Sequence, residues 1–296
     1  MSSGAWTTGS LCRRDPLVRC PAVSDPADPT GPTDPTGSTG SAGSTGSRPG
    51  SKGRSRFADV PWTLPDSIAV LVLGTVLGTI LGFALLPDGA DLAGDDAGEF
   101  APVLLAQPIA YIVAVFGVVG LRHPQAFGRL MGSRRPGLRH VAGGIGLGVG
   151  GFLLSNLVVG GLITAIFTLL EQEPPAVQQE FQAAAGDPTA VPFLVLGAAV
   201  LAPIGEELAF RGMLYPALAR RLPRGAAIWV SAIVFALAHP AADLLGYTIL
   251  AATLLPFGAL LAWAYERSGT LLVPFLGHLV FNAIGVTAML GVAGMW

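Results

Sequence analysis

Seven apolar stretches separated by short polar loops dominate the chain after its first 57 residues. A helix needs about 20 apolar residues to cross the ~30 Å hydrocarbon core of a bilayer. Most of the stretches have that length, although the fifth is short and the third is long enough to tilt or break. The pattern predicts an all-α polytopic membrane bundle of about seven transmembrane helices. The stretches are residues 66–86, 101–121, 138–169, 191–219, 225–240, 244–265 and 271–293.

The composition supports this class of protein. Only 12% of the residues are charged and 51% are hydrophobic, whereas a soluble globular domain carries about 25% charged residues. Residues 1–57 differ from the rest, because they consist largely of Pro, Gly, Ser, Thr, Ala and Asp and cannot build a core. They are predicted to form a disordered tail. The two cysteines, Cys12 and Cys20, lie in this tail, where free thiols are expected.

Basic and acidic loops alternate along the seven stretches, and loops rich in Lys and Arg stay in the cytoplasm. The alternation predicts a multi-pass protein of the cell membrane, typical of a bacterial plasma membrane, with its N-terminus inside and its C-terminus outside. The basic positions are Lys52, Arg54, Arg56, Arg122, Arg129, Arg134, Arg135, Arg139, Arg220, Arg221, Arg224 and Arg267. The acidic positions are Asp88, Asp91, Asp95, Asp96, Glu99, Glu171, Glu173, Glu180 and Asp187.

Three charged residues interrupt the apolar run 191–219: Glu206, Glu207 and Arg211. A charge at the bilayer centre costs roughly 2.5–3.5 kcal/mol on the insertion scale, so such residues face the bundle interior and are functional candidates. Counted from the basic turn 220–224, Glu206 and His239 both lie 15 residues away, or about 22 Å along a helix. They are therefore expected at one depth.

His278 and Asn282 reach a similar depth, 11 and 15 residues after Arg267, and share a helix face at i, i+4. The other two histidines, His123 and His140, lie in an arginine-rich loop and are expected to be solvated. Three predicted helices thus carry polar groups to one layer of the membrane.

The spacing of the three charges assigns their directions. Glu207 and Arg211 stand at i, i+4 and are expected to form a buried ion pair that shapes the site. Glu206 is rotated by about 100° from Glu207 and is left to face the histidines. Pro203 and Gly205 suggest a kink or a loosened turn just before the glutamates.

Two imidazoles and one carboxylate form a zinc ligand set with an open position. His239, His278 and Glu206 are therefore the candidate ligands of a divalent metal, with Zn²⁺ expected. A bound zinc lowers the pKa of its water to about 7, a carboxylate can accept the proton, and Asn282 can donate to a developing oxyanion.

The ordered motifs "EELAFR" at 206–211, "FALAH" at 235–239 and "HLVFN" at 278–282 resemble those of the CPBP intramembrane metalloproteases. This family is also called the CAAX-protease and bacteriocin-processing, or Abi, family, and its pattern is EExxxR, FxxxH and HxxxN or HxxxD. The resemblance covers about residues 190–285. It implies a helical membrane core that hydrolyses peptide bonds, with Glu206 and His239 activating water. His278 and Asn282 would stabilise the oxyanion, or His278 would help to hold a metal.

The resemblance divides the chain into the tail 1–57, the N-terminal transmembrane helices 58–189 and a catalytic core 190–296. The expected function is that of an intramembrane metalloendopeptidase that acts on a peptide or membrane protein within the lipid bilayer, and no nucleic-acid partner is expected. Two other functions use the same polar layer: a non-catalytic membrane scaffold or bacteriocin self-immunity protein, and an ion or proton transporter. Glu206→Ala distinguishes the protease from the other two, because only the protease loses cleavage.

Overall fold

The computed structural model describes residues 60–86, 101–175, 177–241 and 243–294. These residues belong to one compact unit. The predicted disorder of the tail and the expected state of Cys12 and Cys20 concern residues outside these ranges, as do the acidic positions 88–99.

Seven apolar helices follow one another along the described residues. Six of them are long and apolar enough to cross a membrane. The fifth, predicted over 225–240, is a helix of only 14 residues. The helices are α1 (Leu64–Leu85), α2 (Ala101–Arg122), α3 (Leu138–Leu169), α4 (Val191–Ala219), α5 (Arg224–Leu237), α6 (Leu244–Ser268) and α7 (Leu272–Val292).

The described residues form no β-strand, and a single isolated bridge joins Gly132 to Thr270. The helical membrane bundle predicted from the sequence is therefore confirmed. A short helix, Gln179–Gly186, lies in the acidic loop between α3 and α4 and packs against α4 and α7.

Glycines set the closest helix contacts, as expected where backbones approach one another in a membrane bundle. On α3, a Cβ added at Gly144 would lie 2.7 Å from Leu276, and one added at Gly148 would lie 2.5 Å from the Gly277 carbonyl oxygen on α7. On α1, a Cβ at Gly74 would overlap the Tyr111 ring of α2. These contacts bring α7, which carries His278, against α3.

The arginine-rich ends of the helices are tied together by polar contacts, and this end of the bundle is called the basic end below. Asp66 at the start of α1 lies 2.7 Å from Arg122 Nη1 and 3.2 Å from His123 Nε2. His123 was expected to be solvated, and this was wrong because Asp66 lies beside it in space although it is 57 residues away in the chain.

His140 was also expected to be solvated. The residue is 9% exposed, and its Nδ1 accepts a hydrogen bond from the Gly137 amide at 2.9 Å. The expectation was wrong because the ring satisfies a free amide at the first turn of α3, as capping groups do.

Two long helices contain wide π-helical turns. In α3 such turns cover Leu153–Gly160, so this long segment continues as a helix through its middle. In α4 they cover Val195–Leu201 and Glu207–Leu214. The loosened turn suggested by Pro203 and Gly205 is therefore present on both sides of these residues. Turns of this kind occur frequently at functional sites.

Candidate active site

Three side chains from three elements meet in the middle of the bundle. Glu206 lies in α4, His239 follows the end of α5, and His278 lies in α7. Glu206 Oε2 is 3.5 Å from His239 Nε2 and 3.9 Å from His278 Nε2. The convergence predicted from residue counts is thus present, although the catalytic roles of these residues stay a prediction.

The orientation of the two imidazole rings is fixed by their Nδ1 atoms. His239 Nδ1 lies 2.8 Å from the Phe235 carbonyl oxygen, and His278 Nδ1 lies 2.9 Å from Glu207 Oε1. Both partners only accept, so each Nδ1 must carry a hydrogen. In a neutral ring the lone pair is then on Nε2, and both lone pairs point toward Glu206. Glu206 Oε2 is itself buried and has no hydrogen-bond donor among the described residues.

Glu207 and Arg211 form the predicted buried ion pair, with 2.9 Å between Glu207 Oε1 and Arg211 Nη1. Their side chains are 1% and 0% exposed. The guanidinium also donates to the Gly258 carbonyl oxygen at 3.2 Å and lies 4.3 Å from the centre of the Phe235 ring. The pair is therefore supported by α5 and α6 as well as by α4.

The predicted contact partners of the two glutamates were wrong in one respect. Glu207 was expected to contact Arg211 and to leave the histidines to Glu206. In the structure, His278 lies between both carboxylates, with Nε2 toward Glu206 and Nδ1 toward Glu207. A rotation of 100° per residue does not separate two long side chains that contact opposite edges of one ring.

Aromatic rings surround His278. The Phe235 and Phe257 rings lie edge-on, with centroids 5.7 and 5.5 Å from the imidazole. Phe281 stacks on Phe257 at 3.9 Å, and Phe235 also contacts His239 at 4.8 Å. These rings restrict the imidazole orientation and keep the surroundings of the charges apolar. Of this set, Phe235 and Phe281 lie within the motifs "FALAH" and "HLVFN", whereas Phe257 lies outside them.

Asn282 contacts a different partner from the other candidates. Its Nδ2 donates to the Ala198 carbonyl oxygen at 2.7 Å, within the first π-helical segment of α4. One of its two amide hydrogens is thereby used, and the second is left for another acceptor. Its expected place near the oxyanion stays a prediction.

The spacing of the donor set matches a zinc site at one contact and is wider at the other. Two ligands at 2.0–2.1 Å from a tetrahedral ion lie roughly 3.3–3.4 Å apart. The Glu206–His239 distance of 3.5 Å is close to this value, and the Glu206–His278 distance of 3.9 Å is wider. Within the described ranges, no group of three or more His, Cys, Asp or Glu side chains is arranged to hold a metal ion. The donor chemistry fits a metal, and the present spacing does not close around one.

Comparison with known families identifies the part of the chain that carries this site. Residues 188–284 match the family model described as "Rce1-like: Type II CAAX prenyl endopeptidase Rce1-like". The family recognised from the three motifs is confirmed for this segment. No curated protein and no solved structure matches the chain. The matched segment contains Glu206, Glu207, Arg211, His239, His278 and Asn282. Together with the six helices that are long and apolar enough to cross a membrane, the match indicates a multi-pass membrane protein with a segment similar to a protease family.

Contacts that the sequence did not reveal come from residues outside the motifs. A Cβ added at Gly205 would lie 2.7 Å from the Pro108 carbonyl oxygen and 3.3 Å from Tyr111 Cβ. The residue before Glu206 therefore packs directly on α2, which precedes the matched segment. Gly258 accepts from Arg211 through its backbone, which leaves no side-chain signal in the sequence. The glycine at position 205 was visible as a small residue beside the charges, but its contact with α2 was not.

Proposed function

We propose that this chain is an intramembrane endopeptidase in which Glu206 activates the water that hydrolyses the peptide bond. One observation carries the proposal: a buried carboxylate oxygen without a donor lies within 3.5 and 3.9 Å of two imidazole nitrogens. Both rings are anchored at their other nitrogen. A carboxylate held in this way can accept a proton from water, which is the task of a general base.

The proposed reaction begins with a water molecule that contacts both Glu206 and His239 from the side of the pair. Glu206 takes a proton as the water oxygen attacks the scissile carbonyl carbon, and the carbonyl oxygen becomes an oxyanion. Asn282, through its second amide hydrogen, and His278, in the imidazolium form that carries a hydrogen on Nε2 as well, are the proposed groups that stabilise this charge. Glu206 then transfers the proton to the amine nitrogen as the C–N bond breaks, which releases a new carboxylate and a new amine.

Glu207 and Arg211 are proposed to position His278. The Glu207 carboxylate accepts from His278 Nδ1, and Arg211 holds that carboxylate in place. Carboxylate partners of this kind fix both the tautomer and the direction of an imidazole. The same contacts would prepare His278 either as a hydrogen-bonding group or as a ligand.

A divalent metal, with Zn²⁺ expected, is part of the proposal. Glu206, His239 and His278 would hold it, and the bound ion would acidify water and polarise the carbonyl. With neutral imidazoles, the buried cluster contains two carboxylates and one guanidinium. One further positive charge between Glu206 and the rings would balance the cluster; a single proton supplies that charge, whereas a divalent ion alone would leave one positive charge in excess.

The activity is tested by reconstituting the purified protein in liposomes with a library of membrane-spanning peptides in ¹⁸O-labelled water. Hydrolysis places ¹⁸O in the new C-terminal carboxylate of the product. Intact peptides after prolonged incubation would contradict the endopeptidase function and favour a scaffold or immunity protein.

Metal content is measured beside the activity, for the wild type and for the His239→Ala, His278→Ala variant. A stoichiometric metal in the wild type that is lost in the variant supports the metal site. Cleavage by wild-type protein that contains no metal would contradict the proposed metal site but would leave the proposed role of Glu206 as general base in place.

A further inference from the structure

We propose that Phe257 is a positioning residue for His278, and that α3 takes part in the active site because Gly151 makes the room in which the Phe257 ring lies. Helix α3 precedes the segment 188–284 that matches the family model, so the functional unit extends beyond that segment. The consequence for turnover rests on the endopeptidase function proposed above, whereas the position of the His278 ring rests on packing within the chain.

The hydrogen bond from His278 Nδ1 to Glu207 fixes only one edge of the imidazole. A ring held by its backbone and at one nitrogen can still tilt, and a tilt moves Nε2, the atom that lies 3.9 Å from Glu206 Oε2. Further contacts are needed to fix Nε2. Two aromatic rings supply them in the edge-on arrangement that aromatic pairs favour, with centroids 5.7 Å away for Phe235 and 5.5 Å away for Phe257.

The Phe257 ring belongs to an aromatic stack that reaches α3. Its side chain is 0% exposed, and it stacks on Phe281 with 3.9 Å between centroids and 17° between planes. Phe281 in turn meets Phe152 of α3 edge-on at 5.7 Å. The ring that flanks His278 is therefore packed against a helix that contributes no residue to the three motifs.

Gly151 is the point at which this stack meets the backbone of α3. A Cβ added at Gly151 would lie 2.7 and 2.9 Å from Phe257 Cδ2 and Cε2, and 3.8 Å from Phe281 Cδ2. Carbon atoms pack best at about 3.5–4.0 Å, so a methyl group would displace the Phe257 ring. In a close-packed interior a displaced ring moves its neighbours, and His278 is one of them.

The contact at Gly151 differs from the other close contacts of α3. Cβ atoms added at Gly144 and Gly148 would meet Leu276, the Gly277 carbonyl oxygen and other groups of α7, so these glycines let two helices approach. At Gly151 the nearest atoms belong to a ring of α6 that touches His278. If Gly151 served only helix packing, a methyl group there would lower the stability and leave the His278 ring where it is.

The position of His278 is measured first, without reference to proteolysis. The protein is labelled with ¹⁵N-histidine, and the Nδ1–H resonance of His278 is identified by NMR as the signal missing from His278→Gln. Slow exchange of this hydrogen with water reports its contact with Glu207. Two glycines serve as matched controls. Gly150→Ala has no described atom within 4 Å of its added Cβ, and Gly74→Ala places a methyl group against another aromatic ring, that of Tyr111.

We expect the slowly exchanging resonance in the wild type, in Gly150→Ala and in Gly74→Ala, and its loss in Gly151→Ala. Gly74→Ala overpacks the bundle in a similar way, so it controls for a general loss of stability. A resonance that persists in Gly151→Ala would overturn the proposal. Its loss in Gly74→Ala as well would also overturn it, because the effect would then not pass through Phe257.

A compensating pair keeps the test open if Gly151→Ala does not fold. Phe257→Leu removes the ring and its clash, and in Gly151→Ala, Phe257→Leu the added methyl group takes up part of the space that the ring leaves. Changes that conserve volume are tolerated best. The double variant should therefore keep more of the His278 resonance than Phe257→Leu alone, and a double variant that keeps no more would contradict the coupling of these two positions.

Turnover is measured last, with the library of membrane-spanning peptides. Gly151→Ala should lower kcat by about 10–100-fold, the range for groups that orient an imidazole, and leave KM unchanged. A higher KM with an unchanged kcat would overturn the proposal, because the ring would then shape peptide binding and not His278. If the wild type cleaves nothing while the resonance behaves as expected, the endopeptidase function fails and the positioning of His278 by Phe257 stands.

Discussion

Replacing Glu207 by Gln removes one charge from a buried contact that joins α4 to α7. Glu207 Oε1 lies 2.9 Å from Arg211 Nη1 and 2.9 Å from His278 Nδ1. Both Glu207 and Arg211 are buried, so water cannot solvate the guanidinium when its partner is lost. The substitution keeps the size of the side chain, and its effect therefore reports the charge.

The expected loss of stability follows from these contacts. Removing one partner of a buried ion pair costs about 3–5 kcal/mol, because the other charge stays buried without compensation. Arg211 keeps the Gly258 carbonyl and the face of Phe235. A desolvated cation–π contact is worth about 2 kcal/mol, but it is already present in the wild type and does not offset the loss. We expect Glu207→Gln to lower the free energy of unfolding by about 3–5 kcal/mol.

The assay compares thermal unfolding of four proteins in one detergent. Glu180→Gln makes the same chemical change at an exposed position and should stay within about 0.5 kcal/mol of the wild type. The double variant Glu207→Gln, Arg211→Met removes both charges and should recover part of the stability. Its cleavage rate should remain low, because His278 no longer has a charged partner at Nδ1.

Two results would refute this reasoning. If Glu207→Gln had the melting temperature of the wild type and lost only activity, the Glu207–Arg211 pair would not stabilise the bundle. Glu207, and not Glu206, would then be the carboxylate that accepts the proton from water. If the double variant regained full activity, the contact between Glu207 and His278 would not position the ring.

Two further predictions concern the packing of the bundle. Gly148→Ala places a methyl group 2.5 Å from the Gly277 carbonyl oxygen and should cost about 1–3 kcal/mol in thermal unfolding. The control Gly146→Ala has nothing within 4 Å of its added Cβ and should be neutral or stabilising. Equal melting temperatures of the two variants would contradict the close contact of α3 and α7. Deleting residues 1–57 should change the free energy of unfolding by no more than about 1 kcal/mol. Trp62→Ala, at a fully buried position, should lower it by about 3–5 kcal/mol. A larger loss of stability from the deletion than from Trp62→Ala would show that the tail, and not Trp62, supports the basic end.

The sequence was sufficient to predict the contacts that depend on distance along a helix. Counting residues from the basic turns placed Glu206, His239 and His278 in one layer, since helical rise is nearly constant. The i, i+4 rule likewise predicted the Glu207–Arg211 pair, which is present at 2.9 Å. Both inferences needed only the geometry of a single helix.

Contacts that depend on how helices pack were not predictable in this way. The approach of His278 to both carboxylates depends on where α7 lies against α4, and Glu207 is in a π-helical segment whose turns differ from α-helical ones. The partner of His123 lies on α1, 57 residues away. The Ala198 carbonyl that accepts from Asn282 is a backbone group, and the sequence pattern gives no sign of it.

Glu206→Gln tests most directly whether Glu206 performs the chemistry. The variant and the wild type are reconstituted with the same library of membrane-spanning peptides, and ¹⁸O-labelled products are counted by mass spectrometry beside the melting temperature of each protein. We predict that Glu206→Gln melts no lower than the wild type, because Oε2, the buried oxygen of the lost carboxylate, has no hydrogen-bond partner among the described residues. Its cleavage rate should fall by about 10²–10⁴-fold, as for the loss of a general base. Cleavage at the wild-type rate by the folded variant would contradict the claim.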